Sequence, residues 1–329
     1  MLQIEDLTTD LDSDSGTVRA VAALNLTIAR GETFALVGES GCGKSMTALS
    51  ILRLLPENGR VSAGRVDFDG VDITELPESR MRDIRGGRIS IIFQEPSTSL
   101  NPVMNVGRQI TEVIERHTAL RGAAARAKAL DWLRRVGIPD AERRIGDYPF
   151  QLSGGQKQRV MIAIALAAEP QIVIADEPTT ALDVTIQAQI LRLLSELQSE
   201  QNMALLLITH DLAVVSQMAD RVALMYAGQV IEVAEASEFF QHPLHPYAAM
   251  LFEALPDVGK RGRRLASIPG TVPALDRPFT GCRFADRCAR AMERCRAAPP
   301  PLLTLGTGHS VRCVLYEDCL LYTSDAADE

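Results

Sequence analysis

Two stretches of this chain have residue types and spacing suited to holding phosphate. Gly38-Glu39-Ser40-Gly41-Cys42-Gly43-Lys44-Ser45 fits G-x-x-x-x-G-K-[ST] throughout, and Met46 follows it. Its glycines let backbone N–H groups turn in on phosphate oxygens. Lys44 reaches the β- and γ-phosphates, and the Ser45 hydroxyl is a ligand for Mg2+. A second cradle, Leu152-Ser153-Gly154-Gly155-Gln156, stands just ahead of an expected helix, where backbone N–H groups again point at an anion. One nucleotide does not need two such loops so far apart in the chain. Two half-sites on one chain predict two chains facing each other, with a nucleotide clamped at each seam.

Other residues add chemistry to the first cradle. Asp176 and Glu177 close a short apolar run. One carboxylate suits Mg2+ and the next suits polarising an attacking water. An acidic helix N-cap explains such a pair equally well in isolation, but beside a complete phosphate loop the catalytic reading prevails. His210 and Gln94 each follow an apolar run. A neutral imidazole at that place can donate to a γ-phosphate and the attacking water. Neither residue carries weight outside the set.

The elements that must position these groups read as an α/β parallel sheet. Residues 33–37 form an apolar run into the first cradle, with a helix starting near Ser45; residues 89–93, 172–175 and 204–209 are further strand-like runs ending at Gln94, Asp176 and His210. From about 104 to 168 the pattern is helical: Val106, Ile110, Val113 and Ile114 share one face, and Val160 to Ala168 read as a buried helix. Ile186, Ile190, Leu191, Leu194 and Leu197 mark another amphipathic helix. Strands alternating with helices argue a parallel sheet with a helical insert at about 95–168. Prolines multiply after about 240, where the sheet pattern is expected to stop and a second domain to begin.

Composition narrows the class. At 329 residues the chain is long enough for more than one domain, and its 46% apolar content is ordinary for a globular protein. A net charge of -8 argues against a general affinity for nucleic acid. No apolar run approaches the roughly 18 residues that span a bilayer, and MLQIEDLTTD does not have the shape of a signal peptide. A cytosolic chain is expected, with other subunits supplying any membrane spans.

The order and spacing of Gly38–Ser45, Gln94, Leu152–Gln156, Asp176-Glu177, Ala181-Leu182-Asp183 and His210 resemble an ABC transporter nucleotide-binding subunit over about residues 1–240. The resemblance implies a P-loop ABC ATPase fold: a RecA-like core with a β-subdomain and a helical subdomain. It places ATP between the Gly38–Met46 loop of one subunit and Ser153, Gly154, Gly155 and Gln156 of another, with Asp183 at the dimer seam. Glu177 becomes the catalytic base and His210 the γ-phosphate contact. Ser45, Gln94 and Asp176 stand around Mg2+, and Gln94 also transmits to the membrane subunit. One departure is visible. The family carries an adenine-stacking aromatic near the end of its first strand, whereas Leu11 aligns there and residues 8–18 contain no Phe, Tyr or Trp. Weaker or less base-selective adenine binding is therefore expected.

Further motifs resemble the D-type subunit of dipeptide/oligopeptide and nickel importers. They are Ser45–Pro56, Phe93-Gln94-Glu95-Pro96 with Ser99–Pro102, His242–Tyr247, Ile268–Pro273 and Gly281–Cys288. This implies two membrane permeases, a homologous F-type ATPase subunit and, indirectly, an extracytoplasmic peptide-binding protein as partners. It implies peripheral attachment to the cytoplasmic face of the inner (plasma) membrane and no nucleic-acid partner. Nickel, glutathione and antimicrobial-peptide importers share the same C-terminal resemblance. A soluble ABC ATPase of DNA repair or translation would carry two cassettes or long coiled-coil inserts. An ATP-gated redox-sensing module is a third reading.

Of six cysteines, five crowd the C-terminal region. Cys282, Cys288, Cys295 and Cys313 offer four thiolates, which suit tetrahedral Zn2+ or an iron–sulfur cluster. The spacing lacks a C-x2-C pair, which disfavours zinc, and the resemblance implies a [4Fe–4S] cluster. Arg283, Arg287, Arg290, Arg294 and Arg296 are expected to surround it and lower the thiol pKa values. Buried free thiols are the plainer alternative. Cys42, at a helix N-terminus, is expected to be a loop filler with a lowered pKa. The extension is placed at 241–318, and 319–329, which includes Cys319, reads as a tail foreign to the family.

Overall fold

The computed structural model describes residues 1–14, 16–180, 182–255, 268–276, 278–306 and 308–317. Cys319 and the expected foreign tail lie outside these residues.

Strands β1 (Leu2–Ser13) and β2 (Gly16–Ile28) form a long antiparallel hairpin. Strand β3 (Thr33–Val37) is buried at every position and runs through the first cradle into α1 (Lys44–Ile51). Strands β4 (Gly59–Phe68) and β5 (Val71–Asp72) complete a four-stranded sheet in the order β2-β1-β4-β5. A short helix, α2 (Glu78–Ile84), then leads into β6 (Ile89–Ile92).

The helical insert follows as α3 (Pro96–Ser99), α4 (Val106–His117), α5 (Gly122–Arg135), α6 (Ala141–Arg144) and α7 (Gly154–Leu166). Val106, Ile110 and Ile114 are buried as their spacing requires, around Trp132, while Val113 is only partly covered. The chain then alternates β7 (Ile172–Asp176), α8 (Val184–Gln201), β8 (Ala204–Thr209), α9 (Leu212–Met218), β9 (Arg221–Tyr226) and β10 (Gln229–Glu235).

The main sheet has eight strands in the order β11-β12-β10-β9-β3-β8-β7-β6, where β11 is Leu303–Leu305 and β12 is His309–Val311. Strands β9, β3, β8, β7 and β6 are parallel neighbours. Burial on both faces explains their mostly apolar sequences, with Ser90 of β6 the buried polar exception inside a strand. The expected α/β P-loop architecture is present.

The sheet does not stop near 240. Beyond α10 (Ala236–Gln241), α11 (Pro246–Ala254) and α12 (Glu293–Ala297), β12 pairs with β10. Strands of three residues are too short to show alternation in sequence. Glu232 of β10, fully buried, pins this region: its carboxylate accepts from the N–H groups of Leu244 (2.9 Å) and His245 (2.7 Å) and pairs with His309 Nε2 (2.8 Å). Among the described residues no helix is long and apolar enough to cross a membrane.

Candidate nucleotide site

The loop between β3 and α1 is pressed against its neighbours at two glycines. A Cβ on Gly38 would stand 2.2 Å from the Met225 carbonyl oxygen, and one on Gly43 2.3 Å from that of Ala20. Gly43 also has φ +109°, a conformation that side chains resist. Lys44 Nζ donates to the carbonyls of Gly38 (2.8 Å) and Glu39 (3.0 Å), so the ammonium is fixed across the loop. Cys42 is fully buried, and burial pushes its thiol pKa up although Lys44 pulls the other way. The expected low pKa is corrected: the thiol faces the core.

Asp176 ends β7 beside Ser45. Burial raises its carboxyl pKa, the Ser45 hydroxyl opposes this, the Glu177 charge adds to the rise and Lys44 opposes it. Its Oδ1 is buried with no hydrogen-bond partner. A carboxylate oxygen left without a donor beside a serine hydroxyl fits a hard cation such as Mg2+.

Glu177 is the hub. It adopts φ +46°, a left-handed conformation that costs a non-glycine residue on the order of 1–3 kcal/mol. Its N–H donates to Ile208 O at 2.8 Å. Its Oε2 accepts from Thr180 Oγ1 (2.8 Å) and Gln94 Nε2 (3.1 Å), and its Oε1 faces His210 Nδ1 at 3.1 Å. Gln94, Glu177 and His210 are thus brought together from three strand ends. Thr180 escaped the sequence reading; its place one turn after Glu177 was the available signal. Gln94, Glu177 and His210 line one cleft of about 610 Å³ with the loop residues Gly38–Gly41 and Gly43–Met46. The lining also includes apolar Leu11, Val18, Leu251 and Leu275.

The second cradle does not line this cleft. Ser153 caps α7: its hydroxyl accepts from Gln156 N–H (3.4 Å), and Gln156 Oε1 accepts from Ser153 N–H (3.1 Å). Ser153 and Gly154 are exposed, with Gly155 and Gln156 half-buried. Gln158 Nε2 donates to Pro178 O (2.6 Å), tying α7 to the segment that carries Glu177. Asp183, exposed, caps α8 by accepting from Ile186 N–H at 3.0 Å. Both are anion-ready or polar surfaces facing out of the protomer.

Cys282, Cys288, Cys295 and Cys313 line one small cavity with His245, Phe284 and Arg290. Among the described residues no group of three or more His, Cys, Asp or Glu side chains is arranged to hold a metal ion. Burial raises the thiol pKa values of Cys282, Cys288 and Cys313, the last to about 11. The expected arginine shell is corrected. Only Arg290 lines the cavity. Arg283 turns to Ala227 O, Arg287 to Glu39, Arg294 to Val314 O and Arg296 to Asp286.

A P-loop cleft lined by Ser45, Gln94, Glu177 and His210, and an LSGGQ helix capped elsewhere on the surface, define an ABC-type ATPase cassette. Residues 21–180 match the ABC transporter family, and residues 231–295 match the oligopeptide/dipeptide transporter C-terminal region. The dimeric post-hydrolysis ATP-binding cassette MJ0796 bound to ADP and Pi superposes with TM-score 0.65 at 30% identity, covering 72% of this chain and 99% of that one. The oligopeptide transport ATP-binding protein AppD of Bacillus subtilis is 47% identical over 97% of each chain. The dipeptide transport ATP-binding protein DppD of Escherichia coli is 47% identical over 95% of this chain and 96% of its own. The chain belongs to the ATP-binding subunits of the oligopeptide/dipeptide ABC transporter family, of the D type.

Proposed function

We propose that this subunit hydrolyses ATP to power import of di- or oligopeptides through a membrane ABC transporter. The observation that carries the chemistry is the convergence of Thr180, Gln94 and His210 on the Glu177 carboxylate at the mouth of a P-loop cleft. Residues 38–46 cradle the triphosphate. Ser45 and Asp176, with Gln94 nearby, would hold Mg2+, which would supply neutralisation of the phosphate charge. Glu177 orients and deprotonates the attacking water, and His210, held by Glu177, contacts the γ-phosphate. Ser153, Gly154, Gly155, Gln156 and Asp183 serve the nucleotide of the facing subunit, which their absence from this cleft supports.

The facing subunit is read as a homologous F-type ATPase; this subunit attaches peripherally to two membrane permeases at the cytoplasmic face of the plasma membrane, with a peptide-binding protein outside. Residues 1–240 are read as the cassette and 241–318 as the extension. For the cysteine cavity, four thiols lining one space are read as holders of a [4Fe–4S] cluster, with Zn2+ as the alternative. Anaerobically purified protein is expected to contain iron and acid-labile sulfide in equal amounts; near-zero values for both would overturn the cluster assignment.

Glu177→Gln tests the catalytic assignment. It is expected to reduce turnover by about 1,000-fold or more while ATP binding persists and the closed dimer accumulates. Near-normal turnover in that variant would remove Glu177 from its role.

A further inference from the structure

The apolar lining of the nucleotide cleft is supplied partly by the far end of the chain. Leu11 and Val18 are cross-strand partners at the tip of the β1–β2 hairpin, and Leu275 lines the cleft with them. Leu275 belongs to the segment 268–276, which is tied down at both ends. Its carbonyl accepts from Arg19 N–H of β2 at 3.1 Å. At the other end, Arg287 Nε donates to Pro269 O at 2.8 Å. The same guanidinium pairs with the Glu39 carboxylate of the phosphate loop at 3.0 Å and donates to Tyr226 Oη at 3.2 Å. The Arg287 side chain is only 7% exposed and lies against the rings of Tyr226 and Phe284. One cation therefore clasps the segment, the phosphate loop and the sheet.

We propose that segment 268–276 is part of the nucleotide site. Leu275 forms the nucleobase pocket with Leu11 and Val18, and Arg287 is the positioning residue that holds the segment against the phosphate loop. The argument is one of polarity along the cleft. The N–H groups and Lys44 of the phosphate loop claim the phosphates, so the apolar group of Leu11, Val18 and Leu275, joined by strand pairing and by the Arg19–Leu275 hydrogen bond, receives the base. Aliphatic side chains cover a flat ring by dispersion. They offer no donor or acceptor to its edge, so ATP and GTP bind with similar affinity. The absent aromatic at Leu11 is thus offset by a leucine from the extension. This proposal rests on the ATPase reading.

Calorimetric titration of the full chain with Mg2+ and three ligands, ATP, GTP and inorganic tripolyphosphate, separates the two parts of the cleft. Leu275→Ala is expected to weaken ATP and GTP together by about fivefold to tenfold and to leave tripolyphosphate unchanged. Arg287→Gln is expected to weaken ATP similarly, with Arg287→Lys recovering part of the loss. In the Arg287→Gln background, Leu275→Ala is expected to add little, because both act through one segment. Unchanged ATP affinity in Leu275→Ala would overturn the proposal, as would an equal loss of tripolyphosphate or a wild-type preference for ATP over GTP of a hundredfold. A wild-type chain that binds none of the three would overturn the ATPase reading instead.

Discussion

Opposing influences meet on the Glu177 carboxylate. Burial works to raise its pKa, but hydrogen bonds from Thr180 and His210, with the charges of His210 and Lys44, bring it below the usual 4.5. A depressed carboxyl pKa means the base is ionised throughout the neutral range. Any stability it contributes is present above the unfolded value and is lost as pH falls through the lowered folded one. The ATPase rate is therefore expected to show no loss from Glu177 between roughly pH 6 and pH 8; a Glu177 carboxyl seen by NMR to titrate within that window would contradict it. Cys42 follows the opposite logic. Buried and with a raised pKa, it is expected to resist iodoacetamide in the folded protein and react only on unfolding, as peptide mass mapping would show. Fast labelling of native protein, blocked by ATP, would place the thiol in the cleft instead. Sequence alone located Cys42 beside a helix start but not the face it takes, since the tilt of the loop against Met225 and Ala20 decides that.

At the scale of elements, the helix that opens with LSGGQ depends on its cap. Ser153 and Gln156 each satisfy the other's backbone N–H. Ser153→Ala is expected to cost about 1 kcal/mol, read as a lower urea midpoint, and to reduce ATPase activity of the assembled dimer more than ATP binding by the isolated chain. Equal loss of both would place Ser153 at its own protomer's cleft. The legible elements were those whose local pattern equals their environment: β3, β7 and β8, buried on both faces, appear as unbroken apolar runs. The hairpin of β1 and β2 was hidden because its register shifts between Ile4 and Leu7, and again around Thr9, which breaks the alternation. The phosphate loop, Asp176-Glu177 and LSGGQ were legible because each is contiguous. The segment around Leu275 was not, because an ordinary leucine reaches the cleft only through the pairing of β12 with β10 and the clasp of Arg287.

At the scale of the whole molecule, one protomer presents a P-loop cleft where Gln94, Glu177 and His210 converge, and a second cradle turned elsewhere. Under the proposed function that division makes hydrolysis depend on a facing LSGGQ, so the arrangement of the two ATPases is the point at which membrane subunits would act. The C-terminal region is joined to the main sheet and the phosphate loop by the pairing of β12 with β10, by Glu232 and by Arg287. The most direct test is the ATPase rate of the complete transporter in proteoliposomes, holding this subunit, its partner ATPase and both permeases, with peptide-free or peptide-loaded binding protein. The account predicts a rate several-fold higher with the loaded form, lost when this subunit carries Glu177→Gln. A rate indifferent to the loaded binding protein would contradict the coupling of this ATPase to peptide import.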